Sequence, residues 1–188
     1  MSEVHKSLYH LLARFYSDLF GDRFKCYPIN SQHMMNAWIN IYTSCKIGDE
    51  MFCSVLRKSN KKKGVHIMIY QRTLIAKDEE ATCAFVGEVQ FYFSHKPNFT
   101  TMMGVPQHQT DSEFKFAFVK WYKPDFACRN NQPDLLQEIL FFKNEFFEES
   151  YQSILPIQKI AARVVLSPWM SENNLLLAHP MEREINLV

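Results

Sequence analysis

The sequence predicts a mainly β protein of the α+β class, a small curled β-barrel with a helical hairpin at its amino terminus. Apolar residues recur at helical spacing in the first 46 residues, whereas about five to seven short runs after them alternate or are rich in β-branched and aromatic residues. The segments between these runs leave little room for the helical crossovers of a parallel sheet. We therefore divide the chain into a hairpin at 1–46, a barrel at 47–168 and a tail at 169–188, expected to be largely irregular.

Two helices are predicted in the hairpin. The first covers 4–20, where apolar residues follow the helical period. The second begins after Asn30 or Ser31 as a cap, and Gly48-Asp49 ends the helical part. Its apolar side is formed by Met34, Met35, Trp38, Ile41, Tyr42 and Cys45. Such a stripe either covers one end of the barrel or serves as an adaptable protein contact.

Strands are predicted where short runs are rich in β-branched and aromatic residues. These runs are 52–56, 65–70, 81–93, 114–122, 139–142, 154–160 and 164–166. Gly87 is interpreted as a possible β-bulge, and Pro156 fits an edge strand or a strand entry. The polar stretch at 94–113 is predicted to be a long loop, and long ordered loops often carry function.

Composition and charge exclude several function classes. Of the 188 residues, 16 are Phe and only 5 are Gly, and neither GxGxxG nor GxxxxGK[ST] occurs, which argues against the common nucleotide-binding enzymes. Lys and Arg number 21 and Asp and Glu 20, so the net charge of +1 creates no global attraction to nucleic acid or membrane. Charges at Glu3, Lys6 and Arg14 interrupt the amino-terminal apolar residues. We therefore expect no signal peptide and no membrane partner.

The cysteines predict reduced thiols in a cytosolic or nuclear protein. There are 5 of them, without a CxxC pair. A zinc site from Cys83, His95 and Cys128 is conceivable, but zinc ligands normally come in pairs about two to four residues apart. We therefore predict no metal and no cofactor.

Three segments in chain order carry a resemblance to a known family. They are GEVQFYF at 87–93, FVKWYKP at 118–124, and EILFF followed by ILPIQKIAARVVL within 138–166. Together they resemble the bromo-adjacent homology (BAH) domain across residues 47–168. The family usually has two aromatic residues between the Trp and the basic residue, whereas Tyr122 alone precedes Lys123 here.

The resemblance implies a β-barrel of BAH type that acts in the nucleus as a chromatin-associated interaction module and is not an enzyme. Some members of that family hold a methylated lysine of a histone tail in an aromatic cage, and others bind nucleosomes or partner proteins. The candidate cage residues are Trp121, Tyr122, Tyr92 and Phe126. Glu88 is an acidic neighbour that would accept an N–H from a lower methylation state. The alternative for Trp121 and Tyr122 is packing in the barrel core.

A basic cluster, RKSNKKK at 57–63, contains no acidic residue. Its charged members are Arg57, Lys58, Lys61, Lys62 and Lys63. On a loop between strands these side chains predict contact with the phosphates of DNA or of a nucleosome. The alternative is a solvated tip that keeps a strand edge soluble.

A second cluster, of opposite sign, is formed by Glu145, Glu148 and Glu149 around Phe146-Phe147. It favours an exposed helical turn, or a surface of a protein–protein scaffold domain. The scaffold function is the alternative to chromatin binding, with the helical hairpin as its other candidate surface.

Catalytic groups are also conceivable. Glu88 with His95, or Asp111 with Glu113, would suit an acid–base or metal pair of a nuclease in a protein of mobile-element origin. Their spacing does not separate them from surface charges, so we predict no enzymatic activity.

Overall fold

The computed structural model describes residues 3–20, 38–57, 64–76, 79–96, 113–125, 140–169 and 174–181. In this part of the chain the protein is mainly β with one α-helix, which confirms the predicted class. Short 3-10 helices cover Tyr151–Ser153 and Ile157–Lys159. The helix and strands are α1 (Glu3–Phe20), β1 (Ile39–Tyr42), β2 (Ser44–Ile47), β3 (Glu50–Cys53), β4 (His66–Ala76), β5 (Glu79–His95), β6 (Phe114–Pro124), β7 (Leu140–Phe146), β8 (Ile154–Pro156), β9 (Ala162–Pro168) and β10 (Leu175–Met181).

Six strands pair around a partial ring. Strand β5 pairs with β4, β4 with β9, β9 with β10, β10 with β7, β7 with β6, and β6 again with β5, all of them antiparallel. The β4–β9 and β6–β7 contacts are short. Strand β1 adds to β5 and β8 adds to β6, while β2 and β3 form a separate hairpin.

The apolar side chains that point into the ring form what we call the ring core. Every ring strand contributes to it. Alternate residues of a strand share one face, and residues paired directly across neighbouring strands lie on the same face, so one face of each strand lines the inside of the ring. Met68 of β4, for example, lies opposite Val86 of β5. The buried members are Met68, Val86, Tyr122, Phe142, Ala162, Val164 and Ala178.

The opposite face of β4, β5 and β6 carries a second apolar cluster, the outer core. It also takes in residues of the β2–β3 hairpin and of the segment 154–160. Its buried members are Phe52, Ile67, Ile69, Val89, Tyr92, Ala117, Val119, Trp121, Leu155 and Ile160. Both faces of these three strands are therefore covered over part of their length, which explains uninterrupted apolar runs such as 67–70 in β4 and 116–119 in β6.

Helix α1 covers a third cluster, the helix core, as the apolar spacing of 4–20 predicts. Leu8, Leu12 and Tyr16 lie four positions apart on one side of the helix and are buried. They pack against β5, β6 and β8 through Phe93, Phe116, Phe118 and Ile154. No helix in the described ranges is long and apolar enough to cross a membrane.

A buried polar contact joins α1 to the sheet. The hydroxyl of Tyr16, which is 0% exposed, lies 2.9 Å from Nδ1 of buried His95. Burial raises the pKa of Tyr16 far above its usual range, so this hydroxyl keeps its proton.

Replacing Tyr16 by Phe is expected to lower the free energy of unfolding by about 1–2 kcal/mol, because His95 stays buried without this hydrogen bond. Urea denaturation measures the change, and Leu19→Ala, at an exposed position of the same helix, is the matched control. Equal effects of the two substitutions would contradict the role given to the hydrogen bond.

The second predicted helix is wrong for residues 38–45. Ile41 and Tyr42 lie in β1, paired with Phe93 and Tyr92 of β5, and Cys45 lies in β2. The segment is rich in β-branched and aromatic residues, and pairing with a neighbouring strand outweighs its helical apolar spacing. Residues 21–37 of the predicted hairpin lie outside the described residues. Gly48, with φ of +60°, forms the β2–β3 turn and does not end a helix.

Two further expectations are corrected in the second half of the chain. The tail is not irregular at Leu175–Met181, since this segment is β10 and lies between β9 and β7. The acidic segment does not form a helical turn, because β7 runs to Phe146 and residues 147–150 follow without regular structure. In both places the run is short and mixed, so its partner strands decide the conformation.

Candidate functional site

Strand β5 carries a β-bulge. One face of the strand contributes to the ring core before the bulge and to the helix core after it. The pairing of β5 with β6 shifts register at Gln90. Before the bulge, Val86 and Glu88 lie on the face that looks into the ring, and after it Phe93 lies on the same face under α1. Gly87, where the bulge was predicted, pairs regularly with β4 and β6, so that position was wrong. Glu88 therefore lies where the ring core meets the helix core.

The two leading cage candidates, Trp121 and Tyr122, lie on opposite faces of β6. Trp121 belongs to the outer core and Tyr122 to the ring core. Successive residues of a strand point to opposite sides, so this separation follows from the strand itself. The structure therefore does not bring these two rings together in one cage.

Trp121 is held in the outer core by packing and by a hydrogen bond. It is 9% exposed, and its indole Nε1–H donates to the carbonyl oxygen of Gln152 over 2.9 Å. Its ring also lies against the backbone at Gly87. Both interactions match the core interpretation of this residue.

Tyr92, another cage candidate, lies on the same side of the sheet as Trp121. It is 2% exposed, and its hydroxyl has no hydrogen-bond partner among the described residues. Burial, followed by the nearby Cys45 and Cys53, raises the pKa of Tyr92 well above its usual range. Phe126, the fourth candidate, lies outside the described residues.

Tyr122 and Glu88 do come together, and a residue that the sequence interpretation did not include joins them. His66 of β4 lies directly opposite Glu88 of β5. Its Nε2 is 3.8 Å from a Glu88 carboxylate oxygen and 3.4 Å from the Tyr122 hydroxyl. The amide of Gln90 donates to the other Glu88 oxygen over 2.8 Å. Three strands thus contribute to one polar group at the boundary of the ring core.

Phe146 completes this group. Its ring centroid lies 4.5 Å from that of Tyr122, and it is 38% exposed, whereas Tyr122 is 5% exposed. We call Glu88, His66, Gln90, Tyr122 and Phe146 the Tyr122 cluster. It presents an accessible aromatic ring and a partly exposed carboxylate, with a second ring beneath them.

Charged side chains border the cluster on β6, on β7 and in the segment that follows β7. Lys120, opposite Glu88 in the sheet, lies 3.8 Å from Glu149, and Lys123 donates to Glu145 over 3.1 Å. Both pairs are solvent-accessible and contribute little to stability. Two of the three glutamates of the predicted acidic cluster, Glu145 and Glu149, therefore form ion pairs with lysines of β6.

The pKa values in the cluster reflect burial and the charge of Glu88. Burial, and then the negative charge of Glu88, raise the pKa of Tyr122 to about 12. Burial lowers the pKa of His66, and Glu88 opposes that shift. Near neutral pH the cluster therefore combines a neutral imidazole, a neutral phenol and a carboxylate, a set that suits a cationic ligand.

The basic cluster starts where β3 has ended. Arg57 is exposed, and its Nη1 donates to the sulfur of Cys53 over 2.6 Å. Lys58, Lys61, Lys62 and Lys63 lie outside the described residues. The amide of Cys53 donates to the carbonyl oxygen of Gly64 over 3.1 Å, so the end of β3 before the cluster lies beside the residue that follows the cluster.

The conceivable catalytic pair of Glu88 and His95 does not form. Both residues lie on β5, but Phe91 and Phe93 lie between them on the same face, and His95 contacts Tyr16. Of the other pair considered, Asp111 lies outside the described residues, and Glu113 is exposed immediately before β6.

The zinc ligands considered do not meet either. Cys83 and His95 lie in different parts of the long β5, and Cys128 is outside the described residues. In the described part of the chain, no three His, Cys, Asp or Glu side chains are grouped so that they could hold a metal.

The sequence interpretation missed His66 and Phe146 for different reasons. His66 becomes relevant only through its register with Glu88, which requires knowing that β4 pairs with β5. Phe146 was assigned to an exposed helical turn, although the run LFFKNEF has the aromatic content of a strand. Comparison of the chain with family models, with curated proteins and with solved structures gave no match.

Proposed function

We propose that this chain is a chromatin-associated interaction module of the nucleus, whose Tyr122 cluster binds a basic side chain of a histone tail. The observation that carries the proposal is the placement of the Glu88 carboxylate on the same face as the Tyr122 and Phe146 rings, which contact each other in a tilted arrangement. The resemblance to the BAH domain supports the choice of a histone tail. We also propose that the partial ring of strands closes into a small barrel of BAH type.

The chemistry of the cluster suits a lysine side chain with or without methyl groups. A cation over an aromatic ring gains about 0.5–2 kcal/mol, and more when water is excluded. An N–H of the ligand would donate to Glu88, and a hydrogen bond to a charged group contributes about 1.5–3 kcal/mol. Phe146 is the accessible ring, and the buried ring of Tyr122 packs against it.

A peptide array of histone tails with zero to three methyl groups on lysine tests the proposal. Wild-type protein is expected to bind a subset of the peptides, and Glu88→Gln to weaken that binding about tenfold. Glu148→Gln removes an equal charge from the exposed segment after β7 and serves as the control. Absence of binding, or equal losses in both variants, would contradict the proposal.

A test of Trp121 in ligand binding requires a substitution that preserves the packing of the outer core. Trp121→Phe keeps an aromatic ring in the outer core but removes the indole donor to Gln152. We expect this variant to bind the selected peptide as tightly as wild type. A tenfold loss there, with the fold intact by circular dichroism, would return the recognition site to the outer core.

The basic cluster supports a second contact of the same module, with the phosphates of DNA or a nucleosome. Replacing Lys58, Lys61, Lys62 and Lys63 with Glu is expected to reduce DNA affinity, because contacts with phosphates are lost. Each lost contact should also reduce the steepness with which log affinity falls against log salt concentration by roughly 0.9. Fluorescence polarisation at several salt concentrations measures it. Lys159→Glu, an exposed site on the second 3-10 helix, is the control. DNA binding that is absent at low salt, or unchanged by the reversal, would remove this half of the proposal.

A protein–protein scaffold is the second candidate function. Phe146 and Phe147 are both exposed and stand among three glutamates, a combination that would suit a basic partner with an apolar surface. The two functions differ in their dependence on Glu88. A partner lost on Phe147→Ala but retained in Glu88→Gln would favour the scaffold.

A further inference from the structure

We propose that His66 makes ligand binding at the Tyr122 cluster sensitive to pH, because a proton on its imidazole competes with the cationic ligand for Glu88. The inference rests on the proposed function of the cluster. It assigns His66 the role of a specificity residue, which lets the site accept a cation only while the imidazole is neutral.

The geometry places a single imidazole nitrogen between the two groups that matter. Nε2 of His66 lies 3.4 Å from the Tyr122 hydroxyl and 3.8 Å from the Glu88 carboxylate. In the neutral imidazole with an unprotonated Nε2, this atom accepts the hydrogen bond of Tyr122 and leaves the charge of Glu88 to a ligand. Once Nε2 is protonated it becomes a donor, and Glu88 is then its nearest anion.

The protonated and the neutral states of His66 differ by one positive charge beside the ligand-binding site. A protonated His66 neutralises Glu88 and repels a second cation, whereas a neutral His66 does neither. Burial lowers the pKa of His66, so the neutral state prevails at pH 7.5 and the charged state gains population as the pH falls. Affinity for a cationic peptide should therefore decrease on acidification.

The other titratable and charged groups around His66 do not provide the same switch. On β5 and β6 it faces Glu88, Tyr122 and Lys120. Tyr122 stays neutral between pH 5.5 and 7.5, since burial and the charge of Glu88 raise its pKa to about 12. On β9, Arg163 lies opposite Ile67, so it occupies the other face of β4.

The experiment measures the dissociation constant of a histidine-free, lysine-rich histone-tail peptide at pH 7.5 and 5.5, using the form that binds best in the array. For wild-type protein the affinity is expected to be about three- to fivefold weaker at pH 5.5, the size of an ion-pair effect at a partly exposed site. In His66→Gln, which keeps a polar side chain but cannot gain a charge, the ratio of the two constants should fall to about one.

A second readout does not depend on a substitution of His66. If the peptide binds the neutral form of His66 more tightly than the protonated form, linkage requires that the peptide raise the acid dissociation constant of His66 by the ratio of the two affinities, which lowers the pKa by the logarithm of that ratio. An NMR titration of the His66 ring with and without saturating peptide measures this shift. In the free protein Glu88→Gln should also lower the pKa of His66, because Glu88 raises it.

The outcomes separate this inference from the proposed function. Wild-type affinity that is equal at both pH values, or a pKa of His66 that saturating peptide does not lower, overturns the inference and leaves the proposed function standing. Absence of peptide binding at both pH values overturns the two together.

Discussion

Phe142→Ala is expected to lower the free energy of unfolding by about 3–5 kcal/mol, as large-to-small changes of a buried Phe do. Phe142 is 1% exposed in the ring core and lies opposite Leu176 of β10 and Pro124 of β6. Removing its ring leaves a cavity at the place where β7 bridges its two neighbours. Urea denaturation followed by circular dichroism measures the change in unfolding free energy.

Phe141 provides the control, since it is the preceding residue of the same strand on the opposite face. It is half-buried and contacts Trp169 edge-on, with ring centroids 5.2 Å apart. Phe141→Ala should cost about 1 kcal/mol, the size of an aromatic pair contact. If the two substitutions cost the same, the inside of the ring is not the core that we describe.

Gly87→Ala is expected to destabilise the protein by about 3 kcal/mol, at the upper end of overpacking costs. A Cβ at this position would overlap Val119, lie 2.7 Å from Cε3 of Trp121 and 3.0 Å from the carbonyl oxygen of Lys120. The last contact is with backbone of the paired strand, which cannot move without breaking the ladder. Gly87→Val should cost more, and the same denaturation experiment compares both variants.

Gly48→Ala separates this steric effect from backbone strain. Gly48 has φ of +60°, and a Cβ there would meet nothing within 4 Å. Its replacement should cost about 1 kcal/mol through conformation alone. A Gly87→Ala variant as stable as wild type would show that β5 and β6 are not packed as tightly as described.

The fold class was predictable because the chain's local signals agree with its global structure over long runs. Residues 4–20 have one clear apolar period, and FKFAFVKWY has the aromatic and β-branched content of a strand. The prediction failed at 38–45 and at Leu175–Met181, where the runs are short and the partner strands come from distant parts of the chain. The periodicity of apolar residues within a segment does not reveal which distant strand the segment pairs with.

The candidate site was predictable in part. Glu88 and Tyr122 were both named, and they share one face. Trp121 was grouped with Tyr122 because they are adjacent in sequence, although adjacency on a strand places them on opposite faces. His66 and Phe146 enter the site through strand register and through the course of β7, neither of which a single sequence reveals.

The decisive measurement is the affinity for the peptide selected by the array, compared between Phe146→Ala and Phe147→Ala. The two residues are neighbours of similar exposure, but of the two it is Phe146 whose ring contacts that of Tyr122. We expect about a tenfold loss for Phe146→Ala, within the range of cation–π contacts, and less than about a twofold change for Phe147→Ala. Equal affinities of the two variants, or a larger loss in Phe147→Ala, would contradict a recognition site at the Tyr122 cluster.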